Sequence, residues 1–285
     1  MRKIFVLTML IIFFVSACST AKLTGSSDKI IGTYSSPPRL ENKRVDVKKL
    51  IAQLKDLNAN TYNFLIWTNE NDWADLQLFL PLAKKNKINV WVSLVPPSES
   101  QPKAKWNSEP YKLDYITWAN EIAKLSKQHS NLVAWSIDDF AHNLKVYTPE
   151  YLQKMMDNAR AVNPKLLFIP CIYYRQADKN FADKYGHLID GILFPYRAES
   201  KGANLQDATV VKTEIENVRK LFTGLPVYLD VYSTAHSRLG ASTPEYVRDV
   251  VAEGMKYADG VLIYTHPNPL KEIEKYNYIK TQFRK

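Results

Sequence analysis

Glycine is scarce, with 9 residues in 285, against a usual share of about 7%. Gly-rich phosphate loops are missing as well. No G-x-G-x-x-G and no G-x-x-x-x-G-K-[ST] occurs, which argues against nucleotide chemistry of those two kinds. Cysteine is nearly absent: Cys18 and Cys171 are the only two, too few for a disulfide framework. No apolar run reaches the roughly 20 residues that a bilayer-spanning helix needs. The formal charge is +9, yet no run of five basic residues and no nucleic-acid motif accompanies it. The charge therefore reads as lysines spread over a solvated surface, with no nucleic-acid partner expected. What is abundant is aromatic: Phe, Trp and Tyr make up 12% of the chain. Hydrophobic residues at 46% and charged residues at 24% are ordinary globular values and exclude disorder as the main state.

The N-terminus reads as an address. Met1-Arg2-Lys3 is followed by an apolar run over Ile4–Val15, interrupted only by Thr8. That length suits a signal-peptide h-region. The run ends in Val15-Ser16-Ala17-Cys18, which resembles the bacterial lipoprotein lipobox. The resemblance implies cleavage before Cys18, lipidation of that thiol, and membrane attachment through the lipid. Residues 1–17 are then the signal peptide and 18–28 a polar tether. The stretch after Cys18, Ser19-Thr20-Ala21-Lys22, carries no acidic residue. By the same resemblance this implies an outer-membrane lipoprotein facing the periplasm.

From residue 29 onward, short β-branched or aromatic runs alternate with longer amphipathic ones. The strand candidates are Ile30–Ser35, Thr61–Trp67, Asn89–Val95, Leu132–Asp138, Leu166–Tyr173, Gly191–Tyr196, Pro226–Tyr232 and Gly260–Thr265. Helical patterns fall near 44–57, 72–86, 111–129, 149–162, 176–187, 207–222, 244–257 and 268–283. Thr148-Pro149-Glu150 and Thr243-Pro244-Glu245 each place a capping Thr before a Pro at the first helical position. Eight strand–helix repeats predict a parallel sheet closed into a single (β/α)8 TIM barrel over 29–285. An open doubly wound sheet is the competing α/β arrangement, without its usual phosphate fingerprint.

Active sites of such barrels lie at the C-terminal strand ends, and only one side-chain parity along each strand points inward. In Leu132–Asp139 this parity selects Ala134, Ser136 and Asp138, with Val133, Trp135 and Ile137 toward the helices. In Val227–Tyr232 it selects Tyr228, Asp230 and Tyr232, and in the last strand Tyr264 and His266. Trp67 and Asn69 follow strand two, Tyr173 ends strand five, and Tyr196 and Arg197 end strand six. Asp138 is the expected general acid and Asp230 the expected nucleophile or base. Asp139 is the reserve if the register slips by one, and equally a plain cap. Trp67, Asn69, Tyr173, Tyr196, Arg197, Tyr232, Tyr264 and His266 are the expected substrate contacts. Aromatic rings stack on sugar C–H faces, while short polar groups bind hydroxyls. Cys171, in an apolar strand, reads as a small buried hydrophobe.

Paired carboxyls across one mouth suit glycosidic cleavage, which needs a proton donor and a second carboxylate. With the lipobox and Trp135-Ser136-Ile137-Asp138-Asp139-Phe140 on strand four, the layout resembles the glycoside-hydrolase-like barrels of bacterial glycan-utilising lipoproteins. That resemblance implies a carbohydrate substrate and no cofactor. The sequence departs from two known patterns. The large retaining clan carries Glu on both strands, and chitinase-type barrels carry D-x-x-D-x-D-x-E on strand four. Amidohydrolase-type metal barrels carry H-x-H on strand one, where this chain has Gly32-Thr33-Tyr34-Ser35. Its histidines (129, 142, 187, 236 and 266) show no ligand spacing, so no catalytic metal is expected. A glycan-binding barrel without catalysis, and an envelope-assembly lipoprotein with an incidental cleft, are the alternatives.

Overall fold

The computed structural model describes residues 29–67, 69–265 and 267–284. The expected tether, the lipobox with Cys18, and His266 lie outside the described residues. The element order is β1 (Ile30–Tyr34), α1 (Val47–Asp56), β2 (Thr61–Ile66), α2 (Asp72–Lys85), β3 (Asn89–Leu94), α3 (Tyr115–Gln128), β4 (Leu132–Ile137), α4 (Pro149–Val162), β5 (Leu167–Phe168), α5 (Lys179–Tyr185), β6 (Ile192–Tyr196), α6 (Val211–Leu221), β7 (Val227–Tyr232), β8 (Ala235–His236), β9 (Gly240–Ala241), α7 (Pro244–Tyr257), β10 (Gly260–Tyr264) and α8 (Ile273–Gln282).

Eight of the strands pair in the order β5-β4-β3-β2-β1-β10-β7-β6, every pairing being parallel. The two ends of that order meet. Cys171 bridges Leu193 in parallel, with Ile172 N–H donating to Leu193 O at 2.9 Å and Leu193 N–H to Pro170 O at 3.0 Å. The result is a (β/α)8 barrel. β5 is much shorter than the expected Leu166–Tyr173 run. Pro170 has no N–H to give a ladder and breaks the strand there. β8 and β9 form a small antiparallel hairpin between β7 and α7. Among the described residues no helix is long and apolar enough to cross a membrane.

Capping explains where several helices begin. Thr148 Oγ1 accepts from Tyr151 N–H at 3.2 Å and Thr243 Oγ1 from Tyr246 N–H at 3.1 Å. Asp46, Asp114 and Asp178 cap α1, α3 and α5 in the same way. Each satisfies a backbone donor that the helix itself leaves unpaired.

Strand parity divides the core in two. Tyr62, Phe64, Val92, Trp135, Ile137, Phe168, Leu229, Val231 and Ile263 pack outward against the helices. Tyr34, Leu65, Trp91, Ala134, Ile169, Cys171, Tyr228 and Leu262 fill the barrel interior. Val133 departs from the expected alternation. The register jumps between Val90–Leu132 and Trp91–Ala134, so Val133 is the extra residue of a bulge and packs with the interior cluster. A Cβ at Gly32 would sit 2.2 Å from Thr61 O, so only glycine allows β1 to approach β2 this closely.

At the closed end of the barrel one device repeats. Asp190, just before β6, accepts from Phe168 N–H at 2.9 Å and pairs with Arg160 at 3.0 Å. Asp259, just before β10, accepts from Val227 N–H at 2.8 Å and pairs with Arg219 at 2.5 Å. In both, a carboxylate ties a strand start to a neighbouring helix and leaves the opposite end free for a site.

Candidate active site

The C-terminal strand ends enclose a cavity of about 250 Å³. Its lining brings together the expected Asp138, Asp139, Asp230, Trp67, Tyr173, Arg197, Tyr232 and Tyr264. A second, open groove of about 460 Å³ runs along α4 past His187. It lies on the outer helical wall and holds none of the strand-end carboxyls.

Asp138 is the centre of the mouth. It continues the inward parity of Ala134 and Ser136 off β4, and only 9% of it is exposed. One oxygen accepts from Asp139 N–H at 2.9 Å, and the Cys171 thiol bonds its side chain. Burial, with the charges of Asp139 and Glu99, pushes its carboxyl up to about 7. A carboxylic acid with that affinity keeps its proton near neutrality and can give it away.

Asp139 is the opposite case. It takes a left-handed backbone conformation with φ 42°, one that Asp tolerates better than most residues. Burial alone would raise its carboxyl, but hydrogen bonds from His142 and Tyr173 and the charge of Arg197 hold it below its ordinary value. His142 Nδ1 lies 3.5 Å from it, and that hydrogen bond pushes the imidazole up. At neutral pH Asp138 can thus be protonated while Asp139, next in sequence, is ionised.

Asp230 comes off β7 at the inward parity but is only 1% exposed. Among the described residues its Oδ1 has no hydrogen-bond partner. Burial, reinforced by Asp138, pushes its carboxyl well up. It is therefore an acid of raised proton affinity in the floor of the cavity.

Above this floor stand the rings. Tyr264 packs edge-on to Tyr34 at 5.5 Å and tilted to Tyr232 at 4.9 Å. Tyr34 OH is 3.1 Å from Ser93 Oγ. Trp67 is held at the rim by Asp72, whose Oδ2 accepts from Trp67 N–H and Asn69 N–H at 3.1 Å and whose Oδ1 pairs with Arg39 at 2.7 Å. The Arg197 guanidinium lies 4.0 Å over the Tyr173 ring and is anchored by buried Glu199. Glu199 in turn accepts from Arg175 N–H at 2.8 Å.

Two expected contacts are not brought to the mouth. Tyr196 is fully buried on the helix side, stacked on Tyr246, with its OH donating to Asp207 O at 2.8 Å. The inward parity of β6 runs through Leu193 and Pro195 to Arg197, so Tyr196 belongs to the other face. Asn69 does not line the cavity. Its Oδ1 accepts from Asn71 N–H at 2.9 Å, so it shapes the turn into α2. Cys171 is buried as expected, and its thiol, pushed well up by burial and by Asp138, is also a partner of the acid.

Several lining residues were not among the expected contacts: Tyr34, Glu99, His142, His236 and Arg238. Tyr34 had a readable signal, since inward parity on β1 runs 30, 32, 34. Glu99 lies in the long loop after β3, where no periodicity operates. Burial pushes its carboxyl up, and Asp139 adds to this. His236 and Arg238 sit on the β8–β9 hairpin, which only Gly240 hints at. As to a metal, ligand atoms of Asp138, Asp139 and Cys171 lie within 4.8 Å of one another. Two of the three hold protons at neutral pH, and an ion would have to displace both.

No protein-family model matches this sequence, and no curated protein matches it. Solved structures do match in fold. The Pseudomonas stutzeri endoglucanase Cel5A aligns with a TM-score of 0.57 at 11% identity, over 89% of this chain and 94% of its own. The GH2 β-galacturonidase from Eisenbergiella tayi aligns with a TM-score of 0.59 at 12% identity, over 90% of this chain and 50% of its own. A β-glucuronidase from an uncultured Clostridium sp. aligns with a TM-score of 0.58 at 13% identity, again over 90% and 50%. This chain thus spans about half the length of those two enzymes. These three structural neighbours are glycoside hydrolases, and Cel5A shares the barrel over nearly its whole length.

Proposed function

We propose that this protein is a glycoside hydrolase acting at the C-terminal mouth of the barrel, with a poly- or oligosaccharide as substrate. The observation that carries the reading is the pair of adjacent carboxyls in opposite environments, Asp138 buried and pushed up to about 7, Asp139 beside His142 and held below its ordinary value. Asp138 donates its proton to the departing glycosidic oxygen. Asp139 faces the developing positive charge at the anomeric carbon, and water adds to that carbon in place of the departing oxygen, giving its proton to Asp139. Asp230, almost fully buried in the cavity floor and with raised proton affinity, is given no attacking role. The rings of Trp67, Tyr173, Tyr232 and Tyr264 cover the sugar. The neighbouring endoglucanase and uronidases support a carbohydrate substrate through their shared fold.

The test is a screen of aryl glycosides and polysaccharides against the full chain, with Asp138→Asn and Asp139→Asn beside it. Cleavage by the wild type and a loss of several orders of magnitude in each variant is the expected result. The near-complete burial of Asp230 favours one second reading, a glycan-binding barrel without hydrolysis. Sugar binding with no cleavage of any substrate would select it. We further propose that the barrel is tethered to the outer membrane through lipid on Cys18, facing the periplasm. The short apolar run and the lipobox at Val15–Cys18 support this.

A further inference from the structure

The chemistry above leaves two guanidinium groups on the mouth with unspent donors. Arg197 uses Nε, at 3.1 Å, and Nη2 on Glu199. Among the described residues its Nη1 has no protein partner, and its side chain is 17% exposed at the cavity. Arg238 lines the same cavity from the β8–β9 hairpin. Its backbone N–H donates to His236 Nδ1 at 3.1 Å, and among the described residues its guanidinium has no acidic partner. The hairpin that carries it is pinned to the barrel. Ser242 N–H and Ser242 Oγ donate to Thr234 O at 2.7 and 2.9 Å, and His236 packs edge-on to Tyr232 at 5.3 Å.

The opposing side of the cavity carries the acids. Asp138, Asp230 and Glu99 all have raised proton affinity, and Asp139 is matched by His142. At His236, burial and then Arg197 and Arg238 hold the imidazole below its ordinary value, outweighing Asp139. One wall therefore carries the free cationic donors, and three of the acids that face it hold protons more tightly than usual. A neutral sugar needs ring faces and a few donors and acceptors. Free guanidinium donors, Arg197's on a partly desolvated wall and Arg238's exposed at its rim, match an anion instead, because charge-assisted bonds to carboxylate or sulfate are the strong ones.

We propose that the sugar unit seated in this cavity is anionic, its carboxylate or sulfate gripped by Arg238 and by Nη1 of Arg197. This inference rests on the carbohydrate reading above.

The experiment is calorimetric titration of the full chain with matched pairs in both anomeric series. Methyl glucuronide is set against methyl glucoside, methyl galacturonide against methyl galactoside, and 6-sulfated methyl glucoside against methyl glucoside. Asp138→Asn protein is used so that nothing is cleaved. The acidic member should bind about tenfold or more tightly than its neutral partner, the scale of one charge-assisted hydrogen bond. Arg238→Gln should remove most of that preference while leaving the neutral affinity unchanged. This residue is exposed on a hairpin, so the fold survives the change. The carboxylate and sulfate arms show which anion is meant. Equal or tighter binding of the neutral partners, or a preference untouched by Arg238→Gln, would overturn the proposal. Failure of every sugar, acidic or neutral, to bind would overturn the carbohydrate reading and this inference with it.

Discussion

At the scale of single residues, environment decides what three similar carboxyls do. Asp138, Asp139 and Asp230 carry the same functional group. Burial beside Asp139 and Glu99 pushes one up to about 7, hydrogen bonds from His142 and Tyr173 hold the second below its ordinary value, and burial pushes the third well up. The proton on Asp138 is what catalysis uses, so kcat/KM should fall as pH rises through about 7. Because Asp139 helps raise Asp138, Asp139→Asn should move the Asp138 titration to lower pH, as read by carbon NMR of the carboxyl. Stability follows with a fixed sign. The folded value lies above an unfolded value of roughly 3.9, so the stabilising contribution of Asp138 is complete below that. It is lost as pH rises through about 7. Asp138→Asn should therefore flatten the loss of Tm between mildly acidic and mildly alkaline pH, and a profile identical to wild type would contradict the assigned burial. Inward parity was enough to find Asp138, Asp230, Tyr232 and Tyr264 in the sequence. It could not rank their proton affinities, which depend on neighbours brought in by other strands.

At the scale of elements, legibility followed local chemistry. α4 and α7 begin at the expected positions because Thr-Pro-Glu fixes both a cap and the first helical φ. Thr148→Ala should cost about 1 kcal/mol in denaturant unfolding, without affecting the mouth. β5 was read too long because its apolar composition is strand-like while Pro170 cannot join a ladder. Tyr196 was misplaced because β6 sends both an aromatic and a cation to its end, and only one of the two parities opens on the cavity. Glu99 and Arg238 were illegible because loops obey no hydrophobic period. Asp72 is the element-scale support of the site, since it binds Arg39 and two N–H groups of the loop that carries Trp67. Asp72→Ala strands those partners and should cost about 3 kcal/mol, the scale of breaking a buried ion pair. Trp67 fluorescence should change along with it. An unchanged urea midpoint would show that the loop is held by other means.

At the scale of the whole molecule, the barrel separates stability from chemistry. Asp190 and Asp259 bind strand starts to helices at one end, and the carboxyls and rings converge at the other. The eightfold alternation was legible because each repeat must bury one strand parity against a helix and the other against the barrel interior. Cellular attachment belongs to this scale too. Cys18→Ala should release the protein from membranes or stall its precursor, and mass spectrometry of the native protein should find a diacyl- or triacyl-modified Cys18 at the mature N-terminus. An unmodified N-terminus elsewhere would contradict the anchor. The central claim is that Asp138 delivers a proton to a leaving glycosidic oxygen. Its most direct measurement compares Asp138→Asn with wild type on aryl glycosides whose leaving groups range from phenol to dinitrophenol. The account predicts a loss of several orders of magnitude for phenol, shrinking steeply toward dinitrophenol, which departs without protonation. A loss of the same size for every leaving group, or none at all, would contradict it.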